Sequence, residues 1–118
     1  DGSYQKAISI RQVVDTNGNI VYSWPKENKM IWNSITTSKM RTLLQEVVAS
    51  GTGVGLHSNS SYIGAKTGTT NNFHDFWLAG LNDRYTTAVW IGYDIPASME
   101  KYEKHKVHFH IFNAIMND

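Results

Sequence analysis

Apolar and polar residues change rhythm several times along this chain, and each rhythm predicts an element. Ile8, Ile10 and Val14 alternate with Ser9 and Arg11, with a break at Val13, and Ile20, Tyr22 and Trp24 alternate with Val21 and Ser23. A period of two is that of a strand. Asp15-Thr16-Asn17-Gly18-Asn19 lies between the two runs, and Asn-Gly suits the positive φ angles of a tight hairpin. Pro25 closes the second strand, because it has no N–H for a ladder. Then the period lengthens. Met40, Leu43, Leu44, Val47 and Val48 form one face of a helix over about Thr36 to Ser50. Ser34, Thr36 and Thr37 are N-cap candidates, and Gly51 is placed to end the helix in a left-handed conformation.

Gly51 to Ser61 is rich in Gly, Ser and Asn and reads as an exposed loop. Three strands follow, at Tyr62 to Gly68, Asp75 to Leu81 and Tyr85 to Tyr93. The last two are joined by the turn Asn82-Asp83-Arg84. The run from Thr86 to Ile91 is β-branched and aromatic, with an apolar centre that predicts burial on both faces. Ser98 to Asn117 reads as a helix with a stripe of Val107, Ile111, Ala114 and Ile115, and with Phe112 and Met116 beside it. The order hairpin, helix, meander, helix is that of an α+β chain, an antiparallel sheet flanked by helices.

Composition narrows the function. The 118 residues carry 11 basic and 10 acidic side chains, a net charge of +1. So even a balance gives no general attraction to nucleic acid or acidic lipid. Without cysteine there is neither disulfide nor thiolate chemistry. Four tryptophans, six tyrosines and four phenylalanines mark an ordered chain, and the tryptophans are expected in the core. No apolar run approaches the roughly 20 residues of a membrane span, and no signal peptide is visible. Asp1-Gly2-Ser3, without a start methionine, reads as a cut within a longer protein.

The chemistry concentrates in Lys66-Thr67-Gly68-Thr69-Thr70. Lys66 is a point cation for a carboxylate. Thr67 and Thr69 share one side of a strand. Gly68 leaves room for a close approach, and a free Thr69 N–H can serve as an oxyanion donor. Together they suit an extended peptide ending in a carboxylate, added to a sheet edge.

Other signals are weaker. Gly51-Thr52-Gly53-Val54-Gly55 follows a helix, not a strand, so it is no dinucleotide loop. Gly64-Ala65-Lys66-Thr67 lacks the spacing of a phosphate loop. His105, His108 and His110 beside Lys104 and Lys106 read as a partly exposed basic helix face rather than a metal site. His57 and His74 lie in or near loops around the motif. Asp75 is expected to shape the loop after Thr70 by accepting from backbone N–H groups.

Lys-Thr-Gly is also the third motif of penicillin-binding proteins and serine β-lactamases. The context sharpens the match: Ala65 to Asn71, then Asp75-Phe76-Trp77-Leu78-Ala79-Gly80, then Thr86 to Asp94, with Ser50-Gly51-Thr52-Gly53 upstream. In that order and spacing the chain resembles the bifunctional, membrane-anchored penicillin-binding proteins over nearly its whole length. The resemblance implies the C-terminal portion, residues 1–118, of a transpeptidase domain with a partial β-lactamase/transpeptidase-like fold.

By that resemblance Lys66 anchors the substrate carboxylate and supports proton transfer, and Thr67 and Thr69 hydrogen-bond the carboxylate. Gly68 lets the acyl group lie close, and the Thr69 N–H forms half of the oxyanion hole. The implied partners are a peptidoglycan stem peptide ending in D-Ala-D-Ala, β-lactams, and the upstream part of the same domain. No metal or organic cofactor is implied, and the place of work is the extracytoplasmic side of the bacterial membrane. Whether the parent is bifunctional, a monofunctional transpeptidase or a carboxypeptidase stays open.

Two family motifs are missing. No serine has asparagine two positions later. Ser-x-x-Lys occurs at Ser3/Lys6, Ser23/Lys26 and Ser98/Lys101. The first two fall in extended segments, where i and i+3 point apart, and Ser98 follows Lys-Thr-Gly instead of preceding it. Ser98 is therefore expected to be a helix cap, and the chain inactive by itself. Two other readings remain: a non-catalytic module that binds a peptide carboxylate, and an enzyme fragment whose exposed core drives self-association.

Overall fold

Asp15 fixes the first reversal of the chain. In the computed structural model, which describes residues 2–118, its Oδ1 accepts from the N–H groups of Asn17 and Asn19 at 2.9 and 2.8 Å. Gly18 takes φ 85°, as an Asn-Gly turn requires. Among the first four strands, β1 (Ser3–Tyr4) pairs with β4 (Lys29–Met30), a pairing the sequence did not signal. The expected hairpin is β2 (Gln12–Val14) with β3 (Ile20–Ser23). Its register shifts between Val13 and Val14, a bulge that accounts for the break in alternation there. Ile8 and Ile10 lie before the strand, not in it. Two units make up the chain, one ending at Ser38 and the other spanning Lys39–Asp118.

Helix α1 (Ser34–Ala49) is capped by Asn33, whose Oδ1 accepts from the Thr36 N–H at 2.9 Å. The expected caps Ser34, Thr36 and Thr37 do not fill that role, because Asn33 comes one residue before the helix and reaches its open N–H groups first. Gly51 stops the helix without a left-handed φ; the positive-φ glycines are Gly2, Gly18 and Gly55. Its N–H donates to the carbonyls of Glu46 and Val47. A Cβ on Gly51 would lie 3.0 Å from the Val47 carbonyl oxygen. Glycine is needed there for closeness, not for handedness. No residue of α1 is buried, although its apolar stripe is regular.

The loop after Gly51 is less exposed than its composition suggests. Gly53 and Leu56 are buried, and Asn113 Nδ2 and Lys106 Nζ donate to the carbonyls of Gly55 and Val54.

Strands β5 (Ile63–Thr69), β6 (Asp75–Asn82) and β7 (Thr86–Gly92) form the expected antiparallel meander, in the order β5-β6-β7. Asn82 Oδ1 closes the β6–β7 turn by accepting from the N–H groups of Arg84 and Tyr85. Along β6, Phe76, Leu78, Gly80 and Asn82 are buried and Trp77 and Ala79 exposed, the alternation of a sheet covered on one face. In β7 only Val89 is buried. The expectation of burial on both faces fails because Ala88 and Trp90, on the other side of the sheet, are exposed; among the described residues α1 reaches that side at Gly64, where an added Cβ would lie 3.0 Å from Leu44 Cβ. No tryptophan lies in the core. Trp77 and Trp90 are 46% exposed and pair on the open face, ring centroids 6.2 Å apart.

The C-terminal helix is interrupted. A 3-10 helix at Glu100–His105 ends at Lys106, which takes φ 44°, and α2 (Val107–Met116) starts anew. The break shifts the helical phase. His108, Phe109, Phe112 and Met116 are buried against the sheet, whereas Val107, Ile111 and Ile115 of the expected stripe are each more than 40% exposed. The core joins Leu56, Ala65, Leu78, Val89, Phe109, Phe112 and Met116.

His108 is therefore no part of an exposed basic face. Its ring stacks on Phe76 at 5.3 Å and meets Phe109 edge-on at 4.8 Å. Burial, with Lys106 nearby, lowers its pKa below the ordinary 6.5, because both favour the neutral ring. The fold thus binds fewer protons here than the unfolded chain. Its stability contribution is full above pH 6.5 and is lost as the pH falls below that value. Urea midpoints at pH 7.5 and pH 5 are expected to differ more for the native chain than for His108→Phe. Equal drops would show that His108 is not the group responsible.

Candidate functional site

The Lys66–Thr69 run is the C-terminal half of β5, an edge strand whose free side is open to an added partner. Cross-strand neighbours share a face. Thr67 stands opposite Leu78, and Thr69 opposite Phe76, on the α2 side. Lys66 stands opposite Ala79, and Gly68 opposite Trp77, on the open side. The two threonines share a face as expected, and Lys66 starts from the other one. Lys66 Nζ bends back to donate to the Thr67 carbonyl at 2.7 Å, which brings the cation to the strand edge. A Cβ on Gly68 would sit 3.3 Å from Trp77 Cβ, so a larger residue would crowd the open face beside Lys66.

The ladder decides which N–H groups are free. Thr70 N–H donates to the Asp75 carbonyl at 3.2 Å, so Thr70 points its N–H inward to β6. Inward and outward residues alternate along an antiparallel strand. Thr69 and Thr67 therefore turn their N–H and C=O groups to the open edge. The Lys66 bond to the Thr67 carbonyl agrees with that phase.

Asp75 latches the end of this strand by another route than expected. Its carboxylate accepts from side chains, Thr70 Oγ1 at 3.1 Å and Trp90 Nε1 at 2.8 Å. Its own N–H donates to Thr70 Oγ1 at 2.9 Å. Backbone N–H groups do not reach the carboxylate because the connection is a tight 3-10 turn, Asn71–Phe73, with Asn72 and Phe73 at φ 62° and 55°. Met99 N–H donates to the Phe73 carbonyl at 2.9 Å, which ties this turn to the C-terminal segment.

Thr52 joins the site, though the sequence did not single it out. Its hydroxyl lies 2.7 Å from that of Thr67. The available signals were its place between two glycines and within Ser50-Gly51-Thr52-Gly53, one of the stretches that carry the family resemblance.

Elsewhere the candidates are quiet. Ser98 Oγ accepts from the Glu100 N–H at 3.3 Å, and Lys101 Nζ lies over the Tyr102 ring. His57 N–H donates to Asn113 Oδ1. Among the described residues no three His, Asp or Glu side chains gather as metal ligands would. A hollow in the N-terminal unit is lined by Ile8, Ile10, Val13, Tyr22 and Trp24, and does not include the Lys66 edge.

An edge strand carrying Lys-Thr-Gly, backed by a meander and a C-terminal helix, agrees with the family model described as "Penicillin binding protein transpeptidase domain", which matches residues 1–117. The chain belongs to this family. Penicillin-binding protein 4 of Bacillus subtilis (strain 168) is 42% identical over 99 residues, 84% of this chain and 16% of the relative. Penicillin-binding protein 1B of Buchnera aphidicola subsp. Baizongia pistaciae is 34% identical over 79% of this chain and 13% of its own length. Penicillin-binding protein 1A of Aquifex aeolicus is 31% identical over 86% of this chain and 14% of its own length. The chain thus spans less than a fifth of these relatives. The transpeptidase family and the α+β fragment with antiparallel sheets and two helices were both legible from the sequence.

Proposed function

We propose that this chain supplies the carboxylate clamp and one oxyanion donor of a serine peptidoglycan transpeptidase, with the nucleophile on another part of the same domain. The observation that carries the reading is the orientation of β5. An open edge presents the Thr69 N–H, the Thr67 hydroxyl and a Lys66 ammonium within one stretch of strand. A stem peptide ending in D-Ala-D-Ala lies along that edge as an added strand. Its terminal carboxylate meets Lys66, Thr67 and Thr69, while Gly68 leaves the acyl group room. The scissile carbonyl oxygen turns to the Thr69 N–H, which stabilises the charge that develops there. The same contacts serve a β-lactam carboxylate. Lys66 also supports proton transfer, and the chemistry needs no metal or organic cofactor.

The apolar surface supports a larger domain. Leu43 on α1 and the Trp77–Trp90 face of the sheet are exposed, and a serine-bearing portion that covers them would complete the fold. No helix among the described residues is long and apolar enough to cross a membrane. We place the work outside the bacterial cytoplasmic membrane, where the stem peptides are, with the anchor elsewhere in the protein.

Intact-mass measurement after incubation with a β-lactam tests the reading. The 118-residue chain is expected to gain no mass, and the full-length protein to gain one acyl adduct. An adduct on the short chain that disappears in Ser98→Ala would overturn the assignment and make Ser98 the nucleophile. No adduct on the full-length protein would favour a module that holds carboxylates without chemistry.

A further inference from the structure

We propose that Thr52 is a positioning residue of the carboxylate clamp, turning the Thr67 hydroxyl proton outward to the ligand. The inference rests on the function proposed above. The two hydroxyl oxygens are 2.7 Å apart, the usual length of an O–H···O bond, and the residues are 15 apart in sequence. Neither hydroxyl has another hydrogen-bond partner among the described residues. Each hydroxyl carries one proton and two lone pairs. Their mutual bond uses one proton and leaves the other free. A carboxylate at the β5 edge accepts only, so it draws the Thr67 proton. Thr67 Oγ1 must then accept from Thr52. The result is a chain from Thr52 to Thr67 to carboxylate, in which each bond polarises the next.

The local fold puts Thr52 in place. Gly53 N–H donates to the Val47 carbonyl at 2.9 Å, and Gly51 N–H to the same carbonyl at 3.1 Å. Cβ atoms at Gly51 and Gly53 would come 3.0 and 2.9 Å from that oxygen. The backbone on both sides of Thr52 is thereby pressed onto the end of α1. Downstream, Leu56 is buried in the core and its N–H donates to the Gly53 carbonyl. Thr52 is the one side chain of Gly51-Thr52-Gly53, and it points at the clamp. Folding does not require this bond. Thr52 is exposed and Thr67 half-buried, so water can satisfy either hydroxyl.

The test compares acylation of the full-length protein by a β-lactam with a free carboxylate and by its methyl ester. Thr52→Val is expected to slow acylation by the acid about tenfold. It should leave acylation by the ester within about twofold, because the ester gives Thr67 a weaker acceptor. Thr52→Ser keeps the hydroxyl and is expected to restore the acid rate. Equal losses for acid and ester in Thr52→Val, or no rescue by serine, would show a merely structural role and overturn the inference. A native protein that prefers the acid while Thr52→Val prefers it equally overturns this inference alone. A native protein that neither compound acylates overturns the transpeptidase reading and this inference together.

Discussion

Replacing Phe112 with alanine is expected to cost about 3–5 kcal/mol of folding stability, a large share of the ~5–15 kcal/mol of an ordinary domain. Phe112 and Leu78 are the largest fully buried side chains. The position of Phe112 is explained by a glycine of the sheet beneath it. A Cβ on Gly80 of β6 would lie 2.6 Å from Phe112 Cζ and 2.9 Å from its Cε2. The ring occupies the space that glycine leaves above the sheet. Alanine at 112 empties that space, and the rigid strand beneath cannot rise to fill it. The control is one residue away. Ile111 is 43% exposed, so Ile111→Ala is expected to cost no more than about 1 kcal/mol. Urea titrations of the three proteins measure both. If Ile111→Ala costs more than Phe112→Ala, α2 turns Ile111 and not Phe112 to the sheet.

That comparison also shows where the sequence runs out. The rhythm of residues 62–93 predicts three strands, and the structure has them, because alternation and turn chemistry are local. Asn-Gly and Asp15 likewise specify the hairpin reversal within five residues. For residues 107–116 apolar side chains lie on several sides of the helix, and periodicity alone does not choose among them. The left-handed Lys106 restarts the helix, and the bare strand at Gly80 selects Phe112. Both facts depend on tertiary partners. His108 looked like a surface cation and is a stacked core ring, because Phe76 offers it a face. The tryptophans mislead in the opposite sense, since composition does not say which face of a sheet its own chain covers. In the site, Lys66 to Thr69 were legible because a single strand carries them. Thr52 was not, because its hydroxyl meets Thr67 only after the loop has wrapped the end of α1.

Thr69→Pro isolates the proposed oxyanion donor, and it is expected to lower the acylation rate of the full-length protein by about 10²–10³-fold. Proline deletes the N–H that the proposed mechanism aims at the developing oxyanion. In the interior of a ladder the same change would also leave a carbonyl without its partner, at a cost of about 1–3 kcal/mol of stability. Here the N–H points to the open edge of β5, since Thr70 turns its own to the Asp75 carbonyl. No ladder bond is lost, and the preceding Gly68 has no Cβ to clash with the proline ring. Stability is therefore expected to fall by much less than that amount. Thr69→Val removes the hydroxyl but keeps the N–H, and is expected to lose about tenfold at most. Acylation kinetics and a urea titration on both variants separate the possibilities. A slow but stable Thr69→Pro beside a nearly intact Thr69→Val assigns the oxyanion role to the backbone. If proline unfolds the sheet, the Thr69 N–H belongs to the ladder and the edge geometry is wrong. If both variants slow equally while staying folded, the hydroxyl carries the effect and the oxyanion donor lies elsewhere.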